Sequence, residues 1–385
     1  MITSRERVIN AIERRPIDRV PRYDSFWDTT IAEFQKQGMP PLSPMPMIDA
    51  DGLQKPAGNP TGDFFRFDID SLYMDISMRL PTKVLEDDGE RYIVQDRYGW
   101  TAQKYKGRSS SMHFLDHAVK TRQDWDKLKE GMILNPDDPA RLDSESYYIH
   151  LTPYPSWKGA SAIYNAFRAR GKYLMFTSYG PYECTWRHHG YEASLMDLLE
   201  EPEWMDEIFS RTTDLIISTL EYSISLGMKP DGLYMCEDLG EMRSTLFSSS
   251  VYKSLLFPHH KRLADFLHKN SIHLIMHCDG RIDSFIPMLI EAGVDVLQPL
   301  QANTGLDIVE LKQQFGKDIT FFGNIGVEAF CKGKAAIKDE LYRKIPAAKE
   351  GYGYMYHSDH SVPPDVSYGT YRYCMELLDT VGVYS

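Results

Sequence analysis

The sequence predicts an α/β protein built as a (β/α)8 TIM barrel with an N-terminal helical and hairpin decoration. Three observations predict it. From about residue 173, short apolar runs alternate with helical stretches through six consecutive units, the pattern of a parallel sheet covered by helices. Each apolar run ends in polar residues, reading TSYG, CED, HCDG, LQPLQ, GNIG and HSDH in order, and barrel active sites are assembled at that end of the strands. No dinucleotide-binding glycine fingerprint accompanies the units, which favours a closed barrel over an open doubly wound sheet.

The elements follow in chain order. The opening MITSRERVINAIERRPIDRVP carries charges throughout and places Val8, Ile9, Ala11 and Ile12 on one side. It reads as an amphipathic helix and not as a secretory signal. DRVPRY supplies a first strand and the stretch near FDIDSLYMD a second. Residues 38–62 are rich in Gly and Pro and read as an irregular surface excursion. The stretch from about 82 to 106 has an Asp-Asp-Gly turn between VLE and RYIVQD, then a second turn at RYGW, the signature of a hairpin or small meander. The chain is therefore expected to be one barrel domain over residues 1–385, with an irregular and hairpin insertion at about 38–110.

Composition narrows the function. The chain has 385 residues, 42% of them hydrophobic, and a formal net charge of −12. No basic excess exists to offset nucleic-acid phosphate or an anionic membrane, and no apolar run reaches the length of a membrane span. Cys184, Cys236, Cys278, Cys331 and Cys374 are odd in number, scattered and form no CxxC pair. A disulfide framework and a structural zinc module are both disfavoured, and a cytoplasmic location is expected.

Side chains two apart on a strand share a face. His277 and Asp279 therefore point one way and Cys278 the other, toward the helix layer. The preceding strand offers Glu237 and Asp238, and the last one Asp359 and His360. Such a set suits zinc or iron bound through nitrogen and oxygen, and equally suits metal-free acid–base chemistry. A lone strand-end histidine more often caps or hydrogen-bonds than ligates. His188 with His189, and His259 with His260, are adjacent helix residues about 100° apart and so do not chelate as pairs. His259 and His260 read as solvated helix positions.

The stretches RRPIDRVP, FLDHAVKTRQDWDKL, SYGPYE, MHCDGRIDSFIPMLIEAGVDVLQPLQ, LKQQFGKDITFFGNIG and GYMYHSDHSVPPDV carry a resemblance. Together they resemble the uroporphyrinogen decarboxylase superfamily over nearly the whole chain. That superfamily includes the haem-pathway decarboxylase and corrinoid-linked methyltransferases. The resemblance implies a (β/α)8 barrel, often a homodimer. It places Asp75 at the decarboxylase's central aspartate. That enzyme's arginine-bearing RQAGRY segment is replaced here by RYDSFWDTT, which leaves a multiply carboxylated porphyrinogen without cations to bind it.

The thiol-methylating members bind zinc through a His-x-Cys pair and a later Cys. Matched onto this chain, that pattern implies a metal triad of His277, Asp279 and His360, with Asp279 standing where the second cysteine would be. Carboxylate and imidazole are harder donors than thiolate. The resemblance therefore implies transfer of a methyl group from a small methylated compound, such as a methoxylated aromatic, to a separate corrinoid protein. Zinc or another divalent metal would assist. Glu237 or Asp359 would supply a proton, Gln301 and Asn324 would orient substrate, and Tyr179, Tyr182 and Trp186 would line an apolar pocket. The alternatives are a cofactor-free lyase acting through Asp75 and a non-catalytic small-molecule-binding barrel.

Overall fold

The apolar runs become the strands of one parallel sheet in the computed structural model, which describes residues 2–107, 111–145 and 149–384. The strands are β1 Ile69–Met74, β2 Tyr173–Tyr179, β3 Gly232–Cys236, β4 His273–Cys278, β5 Val296–Pro299, β6 Thr320–Phe322 and β7 Tyr354–Met355. Each pairs in parallel with its sequence neighbour. The two-residue strand Leu142–Asp143 adds antiparallel to the end of β1.

The expected first strand, DRVPRY, lies between β7 and β1, but as a bridge and not a ladder. Tyr356 N donates to Pro21 O (2.8 Å), Tyr23 N to Tyr356 O (3.1 Å), and Asp68 N to Arg22 O (2.9 Å). Proline has no N–H to give to a ladder, so pairing here is short.

Strand alternation divides the core into two. Ile69, Tyr173, Met175, Ile275, Val296, Phe322 and Met355 face inward and form one buried cluster with Val8, Ala11 and Ile12. Those last three belong to α1 (Ser4–Ile12), which begins with a Thr3–Glu6 capping box and closes the N-terminal end of the barrel. Leu233, Met235, Leu274, Met276 and Cys278 face outward into the larger cluster. There they meet helices such as α2 (Pro181–His189), α3 (Pro202–Ser225) and α4 (Phe257–Lys269).

Asp68, immediately before β1, ties α1 to the barrel. Its fully buried carboxylate accepts from Arg7 (2.8 Å), Arg19 (2.7 and 2.8 Å), the Arg22 backbone N–H (2.9 Å) and Ser4 (2.8 Å).

The decoration is a four-stranded antiparallel meander of Lys83–Asp87, Arg91–Gln95, Trp100–Tyr105 and His113–His117. It extends past the expected boundary at 110, and β1 lies inside the range assigned to the insertion. A short hairpin, Pro46–Ile48 with Gln54–Pro56, precedes β1. Its composition is Gly- and Pro-rich, so propensity alone hides it. The turn between the second and third meander strands packs onto the barrel. The Tyr98 ring meets Tyr179 at 5.3 Å, and His188 Nδ1 donates to Tyr98 O at 2.7 Å. Among the described residues, no helix is long and apolar enough to cross a membrane.

Replacing Asp68 by Ala leaves two arginines facing each other without their shared carboxylate. Breaking a buried pair of this kind costs about 3–5 kcal/mol. For a chain of this length, thermal unfolding of Asp68→Ala is expected to shift down by about 4–6 degrees, and an unchanged melting curve would refute the hub.

Candidate metal centre

Inward alternation along β4 brings His277 to the C-terminal mouth and turns Cys278 away. The Cys278 sulfur is fully buried and accepts the Leu239 N–H at 3.2 Å, and burial pushes its thiol up. It is a packing residue.

His277 is held at both ring nitrogens. Nδ1 lies 2.9 Å from the Tyr234 hydroxyl and against Gln298 Oε1. Nε2 lies 3.6 Å from Asp238 Oδ1 and 3.7 Å from Asp279 Oδ2. One donor atom from each of Asp238, His277 and Asp279 falls within 4.8 Å of the others. A first-row ion with bonds of about 2.0–2.2 Å spaces tetrahedral donors about 3.3–3.6 Å apart, so small side-chain shifts would complete such a shell. Asp279 Oδ1 is buried with no hydrogen-bond partner, a vacancy in donors that a cation would satisfy. These residues therefore fit a divalent ion bound through nitrogen and oxygen.

Charge within the group points the same way. Burial pulls the His277 imidazolium down, but Asp279 and Asp238 outweigh it and push it up to about 10. Burial pushes Asp279 up, yet His277 and His360 hold it below the usual carboxylate range. Asp238 is pushed up to about 7 by burial and by the neighbouring Glu183 and Asp279 carboxylates. At neutral pH the protonated imidazole thus points its Nε2–H between two acids, where a metal ion would stand.

His360 stands beside this group, its Nε2 3.8 Å from Asp279 Oδ2. It is 44% exposed at the side chain and stacks on Trp27 at 5.9 Å. Gln301 Oε1 accepts the Gly280 N–H at 2.9 Å, and so fixes the loop directly after Asp279.

Four expected roles are corrected by what the side chains touch. Glu237 is fully buried and faces the helix layer with Cys278. Its oxygens accept the N–H groups of Tyr182 (3.0 Å) and Glu183 (2.9 Å) at the start of α2, and meet His260 Nε2 at 2.9 Å. This is a carboxylate at a helix N-terminus, with no free oxygen to donate a proton to substrate. Asp359 accepts the backbone N–H groups of Val327 (2.7 Å) and Ala302 (3.0 Å), and pins two loops. Asn324 has its amide donors on Leu300 O and Leu306 O and its Oδ1 on Ile308 N, so none of it is left for substrate. Asp75 is gripped by Arg79 and Arg97 at 3.1 Å each and approached by Arg141 at 3.8 Å. Burial raises its carboxyl, but these arginines hold it far below the usual range.

The aromatic residues are divided. Tyr179 is buried under the Arg187 guanidinium at 3.8 Å, and Tyr182 is buried against Phe247 at 5.3 Å. Trp186 is half-buried, its Nε1 donating to Glu183 at 2.9 Å, and remains near the surface of the mouth. The expectation that His259 and His260 are solvated fails. Both are buried, on Asp206 and Glu237 respectively. His188 and His189 are buried too, their Nδ1 atoms on the carbonyls of Tyr98 and Val119.

Sequence reasoning offered Asp238 in the wider set but left it out of the triad, and it missed Tyr234 and Gln298. The signal lies in the strand register. Alternation back from Asp238 through Cys236 to Tyr234 keeps all three on His277's face, since Cys236 is paired with His277. Gln298 is likewise paired with His277 across β4 and β5.

Comparison with known proteins gives three findings. A family model described as uroporphyrinogen decarboxylase (URO-D) matches residues 184–381, just over half of the chain. No curated protein matches. Among solved structures, a methyltransferase from Methanosarcina mazei is similar, with a TM-score of 0.65, 12% sequence identity, and coverage of 98% of this chain and 99% of that one. At that identity the likeness is one of fold.

The arginine grip on Asp75 makes a further test. Asp75→Asn is expected to lose about 3–5 kcal/mol of stability by stranding buried guanidinium groups, while leaving metal content unchanged. Because the folded carboxyl titrates far below its unfolded value, this contribution is present at neutral pH and lost only as pH falls into the acid range. A stable Asp75→Asn protein lacking activity would instead mark Asp75 as catalytic.

Proposed function

The chain belongs to the uroporphyrinogen decarboxylase family, and from that premise we propose that it is a metal-assisted methyltransferase that moves a methyl group from a small methylated compound to a corrinoid protein. The observation that carries the reading is the group Asp238–His277–Asp279 at the barrel mouth, with its buried, unpartnered Asp279 Oδ1. The named activity of the similar Methanosarcina mazei structure supports the same class of reaction.

Asp238, His277 and Asp279 would hold the ion, zinc or another divalent metal, and His360, which stands beside this group, would be a further ligand on the solvent side. The metal would supply Lewis acidity toward a heteroatom of the donor. Nitrogen and oxygen ligands favour a hard ion and hence a hard leaving atom, so oxygen- or nitrogen-linked methyl groups, methoxylated aromatics among them, suit the site better than thioethers. Two carboxylates neutralise the ion while a half-exposed His360 keeps an edge toward water, which gives the leaving heteroatom a route to a proton. Gln301 keeps Asp279 in place by holding Gly280. Trp186 and Trp27 offer flat surfaces at the rim. The lyase alternative loses its central group, because Asp75 is committed to arginines.

Metal analysis is expected to find about one divalent ion per chain. His277→Ala should abolish that binding with the fold intact, and His360→Ala should weaken it less. Binding at neutral pH must displace the His277 proton, so affinity should climb with pH toward about 10, and calorimetry in buffers of different ionisation enthalpy should record proton release. Methyl transfer is tested by mixing the protein with a reduced corrinoid protein and a panel of methoxylated and N-methylated compounds. The cobalt spectrum should change to that of the methylated form with at least one donor. A metal-free protein that is fully active would sink the metal site, and silence with every donor would sink the methyl transfer.

A further inference from the structure

His277 sits opposite Gln298 in the β4–β5 register, and both side chains turn into the barrel with Tyr234 from β3. Three polar atoms meet there. The Tyr234 hydroxyl donates to Gln298 Oε1 at 2.7 Å, His277 Nδ1 is against the same Oε1, and His277 Nδ1 is 2.9 Å from the Tyr234 oxygen. Gln298 is 1% exposed, so no solvent can rearrange this contact. Its Nε2 points the other way, 3.3 Å from His357 Nδ1.

With the Gln298 amide oxygen turned toward His277, as in this structure, the hydrogen count favours one arrangement on Nδ1. The tyrosine proton is spent on Oε1. A bare Nδ1 lone pair would then face two oxygens with no proton between them, a repulsive contact. With a hydrogen on Nδ1, both oxygens accept it in a three-centre bond, and every lone pair is satisfied. In a neutral imidazole the other nitrogen must then carry the lone pair, and that nitrogen, Nε2, is the one facing Asp238 and Asp279.

We infer that Gln298, assisted by Tyr234, is the positioning residue that locks His277 in its Nδ1–H tautomer and so aims Nε2 at the metal. The inference rests on the metal reading above. It assigns a function to a buried glutamine that touches neither metal nor substrate. Partners of this sort fix ring orientation and raise the basicity of a ligating histidine, and their loss costs about 10- to 100-fold in metal affinity.

The test uses the full chain and Zn2+ alone, titrated in competition with a chromophoric chelator. Gln298→Leu is close in size but accepts no hydrogen bond. It should bind Zn2+ about 10- to 100-fold more weakly. Gln298→Glu restores the acceptor and should bind within a few-fold of the parent. Tyr234→Phe should fall between the two. A purely structural role would lower the melting temperature of both Gln298 variants without this split in affinity. Should Gln298→Leu fail to fold, nitrogen-15 spectra of histidine in the Zn2+-loaded parent decide the matter. A protonated Nδ1 and a metal-bound Nε2 at His277 support the lock, and the reverse tautomer overturns it. Equal Zn2+ affinity in Gln298→Leu and the parent also overturns the lock, whereas a parent protein that binds no Zn2+ overturns the metal reading itself.

Discussion

A carboxylate removed from water loses several kcal/mol of hydration unless donors or cations replace it. This one constraint organises the molecule at every level. At the closed end of the barrel Asp68 collects two arginines and a backbone N–H. Where the meander meets the barrel, Asp75 collects further arginines. Under α2, Glu237 accepts two helix N–H groups and a histidine. Where the chain's start meets its last strand, Asp24 takes Ser358 N at 3.2 Å and Tyr371 OH at 2.9 Å. Each acid is a knot joining elements far apart in sequence. Asp279 differs in its place at the mouth, a half-buried carboxylate with one oxygen unpartnered and the other shared loosely between two imidazoles.

The same constraint explains what could be read from the sequence. Apolar runs with polar ends were legible because strand alternation and burial leave a periodic trace, and from them came the barrel, α1 as its cover, and the opposite directions of His277 and Cys278. Acidic residues at strand ends were legible as a set but not as individuals. Glu237 and Asp238 are neighbours, yet alternation sends one under α2 and the other to the mouth. Choosing between them needs the register with His277, which sequence alone does not provide. Asp75 and Asp359 were misread for a related reason. Apart from Arg79 and Ser77 beside Asp75, their partners are arginines and amide groups from other segments, which nothing local announces. Asn324 was misread because its amide serves three backbone groups of neighbouring loops. The buried histidines of α2 and α4 show the converse error, since a helix face that looks polar in sequence can be buried when each imidazole finds an acid or a carbonyl.

Charge balance connects the site to the fold that holds it. Two carboxylates and one neutral imidazole would cancel a divalent ion and leave a nearly neutral centre at the mouth. Without the ion, the proton that burial would strip from His277 is retained because the same two acids demand it. The imidazolium would then take over part of the ion's work and hold the two acids in place, unlike small zinc modules that unfold when emptied. The barrel itself is pinned by its other buried acids. A site preorganised in this way would lose little conformational entropy on binding an ion, and could present it to a substrate without first having to build the pocket around it.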